Sequence, residues 1–354
     1  MAFRGHLGRV QIGNPLASEI NYMTDQHFPL VTIAIPTYNR ANSYLSSTLQ
    51  SALDQTYSRI EIIVSDNCSS DNTGQLVNSF ADPRIRYFRH AENIGPTNNW
   101  NFCLDEARGS YFLLLHDDDL IDHDFIEVCM REANYNTNVG TIRAGIRLID
   151  SRGMVFASQA NMVRGLSTED FIFAWMNSKT WPYLCNTLFN TKRLKEIGGL
   201  KSKHNLFNDV TAAMLLGARF GRVDVEAIKA SAREHDGELT FSAKVIDWCE
   251  DSLELLDLLC ELVPDKKLLI RRKGLKFFAE INYNFVKAVR SRWQRIHLYF
   301  MVFRKFNYAY SPIAFFIKKS FLFRKLHSVA RRAKRLAGRS NFAERAEGLF
   351  PRNR

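Results

Sequence analysis

Short apolar runs rich in β-branched residues alternate with amphipathic runs along the first third of the chain. The apolar runs have the length of buried strands, and the amphipathic runs have helical spacing. This alternation predicts an α/β fold with βα units on a mostly parallel sheet flanked by helices. The predicted strands cover 31–35, 60–64, 85–88 and 111–115, and the predicted helices cover 43–53, 72–80, 97–107 and 125–133.

The elements predicted after residue 133 are less regular, and from residue 243 onward only helices are predicted. A helix is predicted at 207–220, among strands at 139–149, 154–157, 184–189 and 223–231. The first residues are polar and aperiodic, which is typical of an arm, and the spacing from 243 onward is helical. Three parts are therefore expected, namely an arm at 1–29, an α/β domain at 30–242 and a helical, basic extension at 243–354.

Polar clusters stand at the carboxyl ends of the predicted strands, where parallel α/β sheets bind their ligands. The fourth strand runs into Asp117, Asp118 and Asp119. Adjacent carboxylates raise one another's pKa unless a cation joins them, and their oxygens suit Mg²⁺ or Mn²⁺ shared with phosphates. The alternative is a solvated loop whose acids cap the next helix.

The first two strand ends offer groups that suit a nucleotide. Tyr38 supplies an aromatic face and Arg40 a guanidinium, which fit a base and a diphosphate. An ordinary strand-to-helix turn is the alternative for this segment. Asp66 is placed to accept a hydrogen bond from the N–H of a uracil or guanine edge. The polar run from Asp66 to Asp71 would also form an Asx turn readily.

Two later residues carry candidate chemistry. Asp209 opens an apolar helix, where it would act as the general base for an attacking hydroxyl or as an N-terminal helix acid. His235 follows Arg233 and Glu234, and it would bind phosphate or metal, or simply be exposed to solvent.

The formal net charge of +11 is unevenly distributed. Residues 266–354 hold 24 basic and three acidic residues, a balance of +21, whereas residues 1–265 hold 24 basic and 34 acidic residues, a balance of −10. A basic segment implies a polyanionic partner. Bases interleave with aromatic residues over 266–325, which fits either a packed helical subdomain or an interfacial segment on an anionic membrane.

Targeting and redox signals point to the cytoplasm. The N-terminus has no long apolar segment, and no run reaches the roughly 18 apolar residues of a spanning helix. The six cysteines are scattered without metal-finger spacing, as in reduced proteins. We therefore expect a cytoplasmic protein, soluble or peripheral on the inner face of the plasma membrane.

Five ordered blocks of sequence resemble the family 2 glycosyltransferases, an inverting group with the GT-A fold. The resemblance covers about residues 30–240 and weakens after 125. The blocks are Val-Thr-Ile-Ala-Ile-Pro-Thr-Tyr-Asn-Arg (31–40), Leu-Asp-Gln-Thr-Tyr (53–57), Glu-Ile-Ile-Val-Ser-Asp-Asn-Cys-Ser-Ser-Asp (61–71), Glu-Asn-Ile-Gly-Pro-Thr-Asn-Asn-Trp (92–100) and Tyr-Phe-Leu-Leu-Leu-His-Asp-Asp-Asp (111–119).

This resemblance implies roles for the polar residues and makes 30–242 a nucleotide-sugar-dependent catalytic domain. The family often has an acid where this chain has His116, and that register makes Asp118 the metal ligand and Asp117 the ribose contact. A plain Asp-x-Asp pattern would instead select Asp117 and Asp119. Residues 233–235 resemble a basic-x-His element of many members. The expected set is Pro36, Thr37, Tyr38, Arg40, Asp66, Asn93 and Asp117 for the nucleotide, Asp118, Asp119 and His235 for Mg²⁺ or Mn²⁺, and Asp209 for catalysis.

The implied reaction is a single in-line displacement with inversion, in which an acceptor hydroxyl attacks the sugar and a nucleoside diphosphate leaves. The expected partners are a nucleotide-sugar donor, a glycan or lipid-linked acceptor and an anionic membrane surface, in cell-surface polysaccharide or glycolipid synthesis. The alternatives are a nucleotidyltransferase and a nucleic-acid-binding protein acting through the basic tail. Residues 36–40 lack the glycine-rich loop usual in nucleotidyltransferases, and nucleic acid is not an expected partner.

Overall fold

The computed structural model describes residues 28–235, 243–318 and 320. These residues divide into two units, of which the first holds 28–201 and 207–235. The second holds 202–206 together with the described residues from 243 onward. The predicted arm at 1–29 lies outside the described residues except for its last two positions. The predicted parts at 30–242 and 243–354 stay predictions as functional domains.

A mixed sheet forms the centre of the first unit. Its strand order is β3-β2-β1-β4-β8-β6-β9-β5, with β7 on β6. The pairs among β1 to β4 and the pair β6–β9 are parallel, whereas β8, β7 and β5 pair antiparallel with their neighbours. The strands are β1 Val31–Thr37, β2 Ile60–Asp66, β3 Ile85–Arg89, β4 Tyr111–Leu114, β5 Leu120–Ile121, β6 Thr141–Ile149, β7 Val155–Gln159, β8 Thr187–Asn190 and β9 Arg222–Arg233.

Helices cover the first unit's sheet and make up the described part of the second unit. Every predicted helix is found, and the prediction missed α5, α6 and the two-residue strand β5. A short 3-10 turn, Pro264–Lys266, joins α8 to α9, and residues 312–318 are also helical. The helices are α1 Leu45–Leu53, α2 Thr73–Ser79, α3 Pro96–Glu106, α4 Phe125–Glu132, α5 Thr168–Met176, α6 Thr191–Glu196, α7 Asn208–Phe220, α8 Val245–Leu262, α9 Lys267–Ala288 and α10 Arg292–Lys305.

The central strands β1 and β2 are buried along their whole length because the sheet is covered on both faces. Along β1, Ile33 and Ile35 belong to one buried cluster, and Ala34 between them belongs to another. Successive side chains of a strand point to opposite faces, so continuous burial requires packing on both sides. Each fully buried aliphatic side chain contributes about 1.5–3 kcal/mol. The strand ends are therefore carried by a well-packed platform.

Gly109 fixes the start of β4 against β1. Its N–H donates to Thr32 Oγ1 at 3.0 Å, and a Cβ atom at this position would lie 2.6 Å from the Thr32 nitrogen. Only glycine permits this approach of two backbones. At the other end of β4, the N–H of Leu115 donates to the carbonyl of Ala34 at 2.9 Å. The segment that follows β4 therefore starts from a fixed position beside the end of β1.

The second unit packs its helices around aromatic residues. Trp248 of α8 stacks on Phe285 of α9 with ring centroids 4.1 Å apart. Tyr283 is buried, and its hydroxyl donates to the carbonyl of Tyr310 at 2.7 Å. Among the described helices, none combines the length and hydropathy that a bilayer crossing requires.

Candidate active site

The loops after β1 and β2 are joined by side-chain hydrogen bonds to backbone groups. Asp71 accepts hydrogen bonds from the N–H groups of Ala41 and Thr73, at 3.0 and 3.1 Å. Ser69 Oγ accepts one from the N–H of Asn39 at 2.8 Å, and Asn39 has a positive φ of 55°. These bonds fix the loop that carries Tyr38 and Arg40. Pro36 and Thr37 are buried in the last residues of β1, whereas Tyr38 is exposed.

Asp66 is buried at the end of β2, and its carboxylate holds the turn that follows. One oxygen accepts from the N–H of Ser69 at 2.8 Å, and the other accepts from the hydroxyl of Tyr87 at 2.7 Å. Arg89 lies 3.8 Å from the second oxygen. The carboxylate therefore bonds to the backbone of the turn that follows β2, three residues further along the chain. A contact of Asp66 with the nucleotide base stays a prediction.

Asn93 lies in a network that ties the loop after β3 to the loop after β2. Its Oδ1 accepts from Asn67 Nδ2 and from the N–H of Gly95, both at 2.9 Å. Asn67 Oδ1 in turn accepts from the N–H of Ile94 at 2.9 Å. The structure thus assigns Asn93 a role in holding the loops, and its predicted contact with the nucleotide is untested.

Pairing between β5 and β9 brings the acidic triplet beside residues 233–235. Leu120 is paired with Ser231 and Ile121 with Ala230, so the residues before β5 lie next to those after the pair on β9. The N–H of Arg233 donates to Asp119 Oδ1, and Nε donates to the carbonyl of Asp118, both at 2.9 Å. Arg233, at the end of β9, thereby fixes the positions of Asp118 and Asp119.

His235 lies against Asp118. Its Nε2 is 2.9 Å from Asp118 Oδ2, and its ring centroid is 5.5 Å from that of Tyr44. The guanidinium of Arg233 lies 4.3 Å from the centre of the same tyrosine ring. A histidine in hydrogen-bond contact with a metal-binding carboxylate orients that carboxylate. The assignment of His235 as a direct metal ligand stays a prediction.

His116 immediately precedes the triplet and lies within it. Its Nδ1 is 3.6 Å from Asp119 Oδ2, and its ring packs 5.2 Å from that of Trp100. Burial lowers the pKa of His116, but the hydrogen bond and charge of Asp119 and the charges of the other two aspartates raise it to about 9. Nε2 is buried and has no hydrogen-bond partner among the described residues.

Asp117 stands beside Arg40, which is the predicted diphosphate ligand. The Nε of Arg40 is 3.6 Å from Asp117 Oδ1. Burial and the neighbouring charge of Asp118 raise the pKa of Asp117 to about 6. The acidic group after β4 and the basic group after β1 therefore meet at one place.

Asp209 begins helix α7. Burial raises the pKa of Asp209 to about 6, against the hydrogen bond from the Val210 N–H and the charge of His116. The charge of His116 therefore acts on the Asp209 carboxylate, which connects Asp209 electrostatically with the acidic triplet. Near neutral pH, a base with such a pKa is ionised and still able to take a proton.

Three side chains converge in a way that suits a divalent cation. One ligand atom each from His116, Asp118 and Asp119 lie within 4.8 Å of one another. Ligands on opposite sides of a magnesium-sized ion are about 4 Å apart. A ring nitrogen of His116 and the two carboxylates fit such an ion. Sequence reasoning predicted both acids. It did not predict His116 as a metal ligand, although a histidine directly before three aspartates indicates a candidate ligand.

Comparison with known proteins shows which family the sequence around this site is similar to. Residues 32–178 match the model of "Glycosyl transferase family 2", so the predicted resemblance is confirmed. An uncharacterized glycosyltransferase of Rickettsia felis is 41% identical over 128 residues, which cover 35% of this chain and 21% of that protein. The GalNAc(5)-diNAcBac-PP-undecaprenol beta-1,3-glucosyltransferase of Campylobacter jejuni is 31% identical over 179 residues, 48% of this chain and 55% of that protein. The chain thus spans less than two thirds of either relative.

Solved structures show the same fold. S. aureus TarS 1–349 in complex with UDP-GlcNAc has a TM-score of 0.55 at 17% identity, covering 82% of this chain and 92% of that one. The mannosyltransferase PcManGT of Pyrobaculum calidifontis, in complex with GDP-Man and Mn²⁺, has a TM-score of 0.50 at 16% identity, covering 87% and 84%. The predicted GT-A type α/β fold is therefore confirmed.

Proposed function

We propose that this glycosyltransferase moves a sugar from a nucleoside-diphosphate sugar to an acceptor hydroxyl, with inversion and with the help of Mg²⁺ or Mn²⁺. The observation that carries the proposal is the convergence of His116, Asp118 and Asp119 at the carboxyl end of β4. The ligands of the two solved neighbours, UDP-GlcNAc and GDP-Man with Mn²⁺, support this donor class.

Asp118 and Asp119 would hold the metal, with His116 or His235 completing its protein ligands. A bound Mg²⁺ or Mn²⁺ supplies charge neutralisation for the diphosphate that leaves. The protein prepares this site in advance, because Arg233 fixes Asp119 and His235 fixes Asp118. Each of these two carboxylates keeps a second oxygen outside the contact that fixes it.

The donor's nucleotide would lie over the ends of β1 and β2. Tyr38 is exposed and can stack on the base, and Arg40 beside Asp117 is placed for the diphosphate. Asp117 would accept a hydrogen bond from the ribose. Asp66 and Asn93 hold the loops around this place, and Pro36 and Thr37 set the end of β1.

Asp209 would take the proton of the acceptor. The acceptor oxygen forms a bond to the anomeric carbon, the bond from that carbon to the diphosphate oxygen breaks, and the hydroxyl proton passes to the Asp209 carboxylate. One displacement inverts the anomeric configuration, and no covalent enzyme intermediate forms. The raised pKa of Asp209, about 6, suits this base role near neutral pH.

The acceptor is proposed as a glycan or a lipid-linked glycan in surface polysaccharide or glycolipid synthesis. The Campylobacter relative supports this class, because its name describes a glucosyltransferase that acts on an undecaprenol-linked glycan. Other relatives are named chondroitin synthase and hyaluronan synthase.

A product assay with two arms tests the proposal. The first arm incubates the full chain and Mn²⁺ with UDP-, GDP- and dTDP-sugars and a glycan acceptor, and it measures released nucleoside diphosphate. The second supplies nucleoside triphosphates with sugar 1-phosphates and measures pyrophosphate. We expect release only in the first arm, with EDTA abolishing it. Pyrophosphate in the second arm would identify a nucleotidyltransferase and overturn the proposal.

A further inference from the structure

Helix α10 carries an apolar stripe that is exposed among the described residues of the second unit. Trp293, Ile296 and Phe300 are 82%, 55% and 59% exposed, at the spacing i, i+3 and i+7 that places them on one helix face. The helix has a second, inner face, because Val302 and Phe306 are fully buried. The exposed stripe is therefore additional to the face that packs α10 in place.

A second exposed stripe lies beside the first. Ile313, Phe316 and Ile317 are exposed on the helical segment 312–318, at the spacing i, i+3 and i+4. Phe316 contacts Tyr299 of α10 edge to face, with ring centroids 5.1 Å apart. The two helices thus present large apolar side chains next to each other, although isolated exposed apolar residues would be unremarkable.

Positive charge borders these stripes, and of the basic residues in this segment Lys305 and Lys318 are ion-paired with Glu250 and Glu280. Residues 289–318 contain six basic residues and no Asp or Glu. Arg292 stands four residues before Ile296, and Arg304 continues the stripe four residues after Phe300, so both lie along the stripe. Arg292 and Arg304 are exposed. An interfacial helix combines these features, with Trp, Phe and Ile on one face and Arg or Lys along its border.

We propose that the exposed face of α10 and 312–318 binds an anionic membrane surface. The apolar side chains enter the headgroup region, and the arginines contact lipid phosphates. A nucleic acid would use the same charge but would leave Trp293, Ile296 and Phe300 without apolar partners. The proposal concerns binding alone and is independent of the reaction proposed above.

Vesicle co-sedimentation of the full chain tests the proposal. The probes are vesicles of phosphatidylcholine alone and of phosphatidylcholine with 30% phosphatidylglycerol. We expect salt-sensitive binding to the anionic vesicles only. Trp293→Ser with Phe300→Ser should weaken it by about tenfold or more, since two apolar side chains lose their burial. Arg292→Glu with Arg304→Glu should weaken it by about fivefold for each positive charge removed.

A matched control distinguishes binding by this face from nonspecific hydrophobic binding. Met154→Ser with Met162→Ser removes two exposed apolar side chains, 67% and 65% exposed, from the first unit and should leave vesicle binding unchanged. All substitutions are at exposed positions, and circular dichroism checks that each variant is folded. Binding that is absent in the wild type, or equal in the Trp293 and Phe300 double variant, overturns the proposal. Duplex DNA added at an equal phosphate concentration serves as a competitor. If it abolishes vesicle binding, the proposal is also overturned.

Discussion

Arg233 donates its backbone N–H to Asp119 Oδ1 at 2.9 Å, across 114 positions of sequence. The same residue reaches the carbonyl of Asp118 through Nε and the carbonyl of Asp150 through NH1, at 2.9 and 3.0 Å. A single buried arginine thus connects the acidic triplet to the β6–β7 turn and to the end of β9. The geometry of the acidic triplet therefore depends on a residue that is distant from it in the sequence.

Arg233→Lys tests this connecting role. Lysine keeps the backbone bond to Asp119, but it lacks the guanidinium that reaches two carbonyls and stacks on Tyr44. We expect a loss of about 1–3 kcal/mol in the free energy of unfolding, because buried acceptors lose their donors. Urea denaturation measures it. Arg152→Lys, at an exposed position of the same turn, is the control and should change stability by less than about 0.5 kcal/mol.

Asp118→Asn should remove metal-dependent nucleotide binding while the fold persists. The amide has lost the charge that attracts a divalent cation, and its shape is nearly unchanged. Thermal-shift titration with UDP, GDP and dTDP measures binding with and without Mn²⁺. In the wild type, the matching nucleotide at 100 times its Kd should stabilise the protein by about 2.7 kcal/mol. The exposed Asp105 provides the control Asp105→Asn. Equal Mn²⁺-dependent shifts in Asp118→Asn and wild type would rule out this ligand.

Asp209→Asn should bind the donor normally and lose turnover. A general base contributes about 10²–10⁴-fold, so kcat should fall by that factor. Wild-type kcat should also decline as pH falls through about 6, because the carboxylate whose pKa burial raises to about 6 becomes protonated and cannot accept a proton.

The pH profile distinguishes Asp209 from its neighbour. Asp117 has a pKa near the same value, so a decline below pH 6 alone does not identify the base. Residual activity of Asp209→Asn should be flat between pH 5 and 8. If that variant keeps the wild-type turnover, the base lies elsewhere, and Glu234 is the next residue to replace.

Asp251→Asn should destabilise the second unit. Asp251 is fully buried, and its carboxylate accepts from the N–H groups of His204 and Leu206 and from the hydroxyl of Ser202, at 2.7, 2.9 and 2.7 Å. Hydrogen bonds to a charged group each contribute about 1.5–3 kcal/mol, and the amide replaces an acceptor by a donor.

Hydrogen exchange of residues 202–206 should rise in Asp251→Asn, and calorimetry should show a lower Tm. The control is Asp257→Asn on the same helix, which removes an exposed ion pair with Arg271. Such a pair contributes about 0–1 kcal/mol. Unchanged exchange in Asp251→Asn would show that other contacts hold the segment.

The sequence predicted the strands and their polar ends because burial on both faces leaves continuous apolar runs. It missed α5 and α6, since α6 is only six residues long and α5 is apolar over most of its surface. It missed β5 because a two-residue strand carries no periodicity. These misses reflect short or uniform patterns, which tertiary pairing turns into structure.

In the candidate site, too, some features could be predicted from the sequence and others depend on tertiary contacts. The triplet was visible because it follows an apolar strand, and Asp209 was visible because it precedes an apolar helix, whereas the contacts of Arg233 and of His235 were not visible. Those contacts follow from the pairing of β5 with β9, and residue spacing contains no information about which strands become neighbours. Asp66 and Asn93 illustrate the reverse, since the residues expected at the nucleotide also make the hydrogen bonds that shape their own loops.

The chain crosses between the two units more than once, and this limits how the protein can be divided. Residues 202–206 belong to the unit of α8, and the chain then re-enters the sheet-containing unit two residues before Asp209. A fragment ending near residue 237 would keep this segment but lose Asp251, which holds it. Helix α8 therefore holds a segment that lies between two parts of the sheet-containing unit, so fragments designed to keep residues 202–206 in place should retain at least α8.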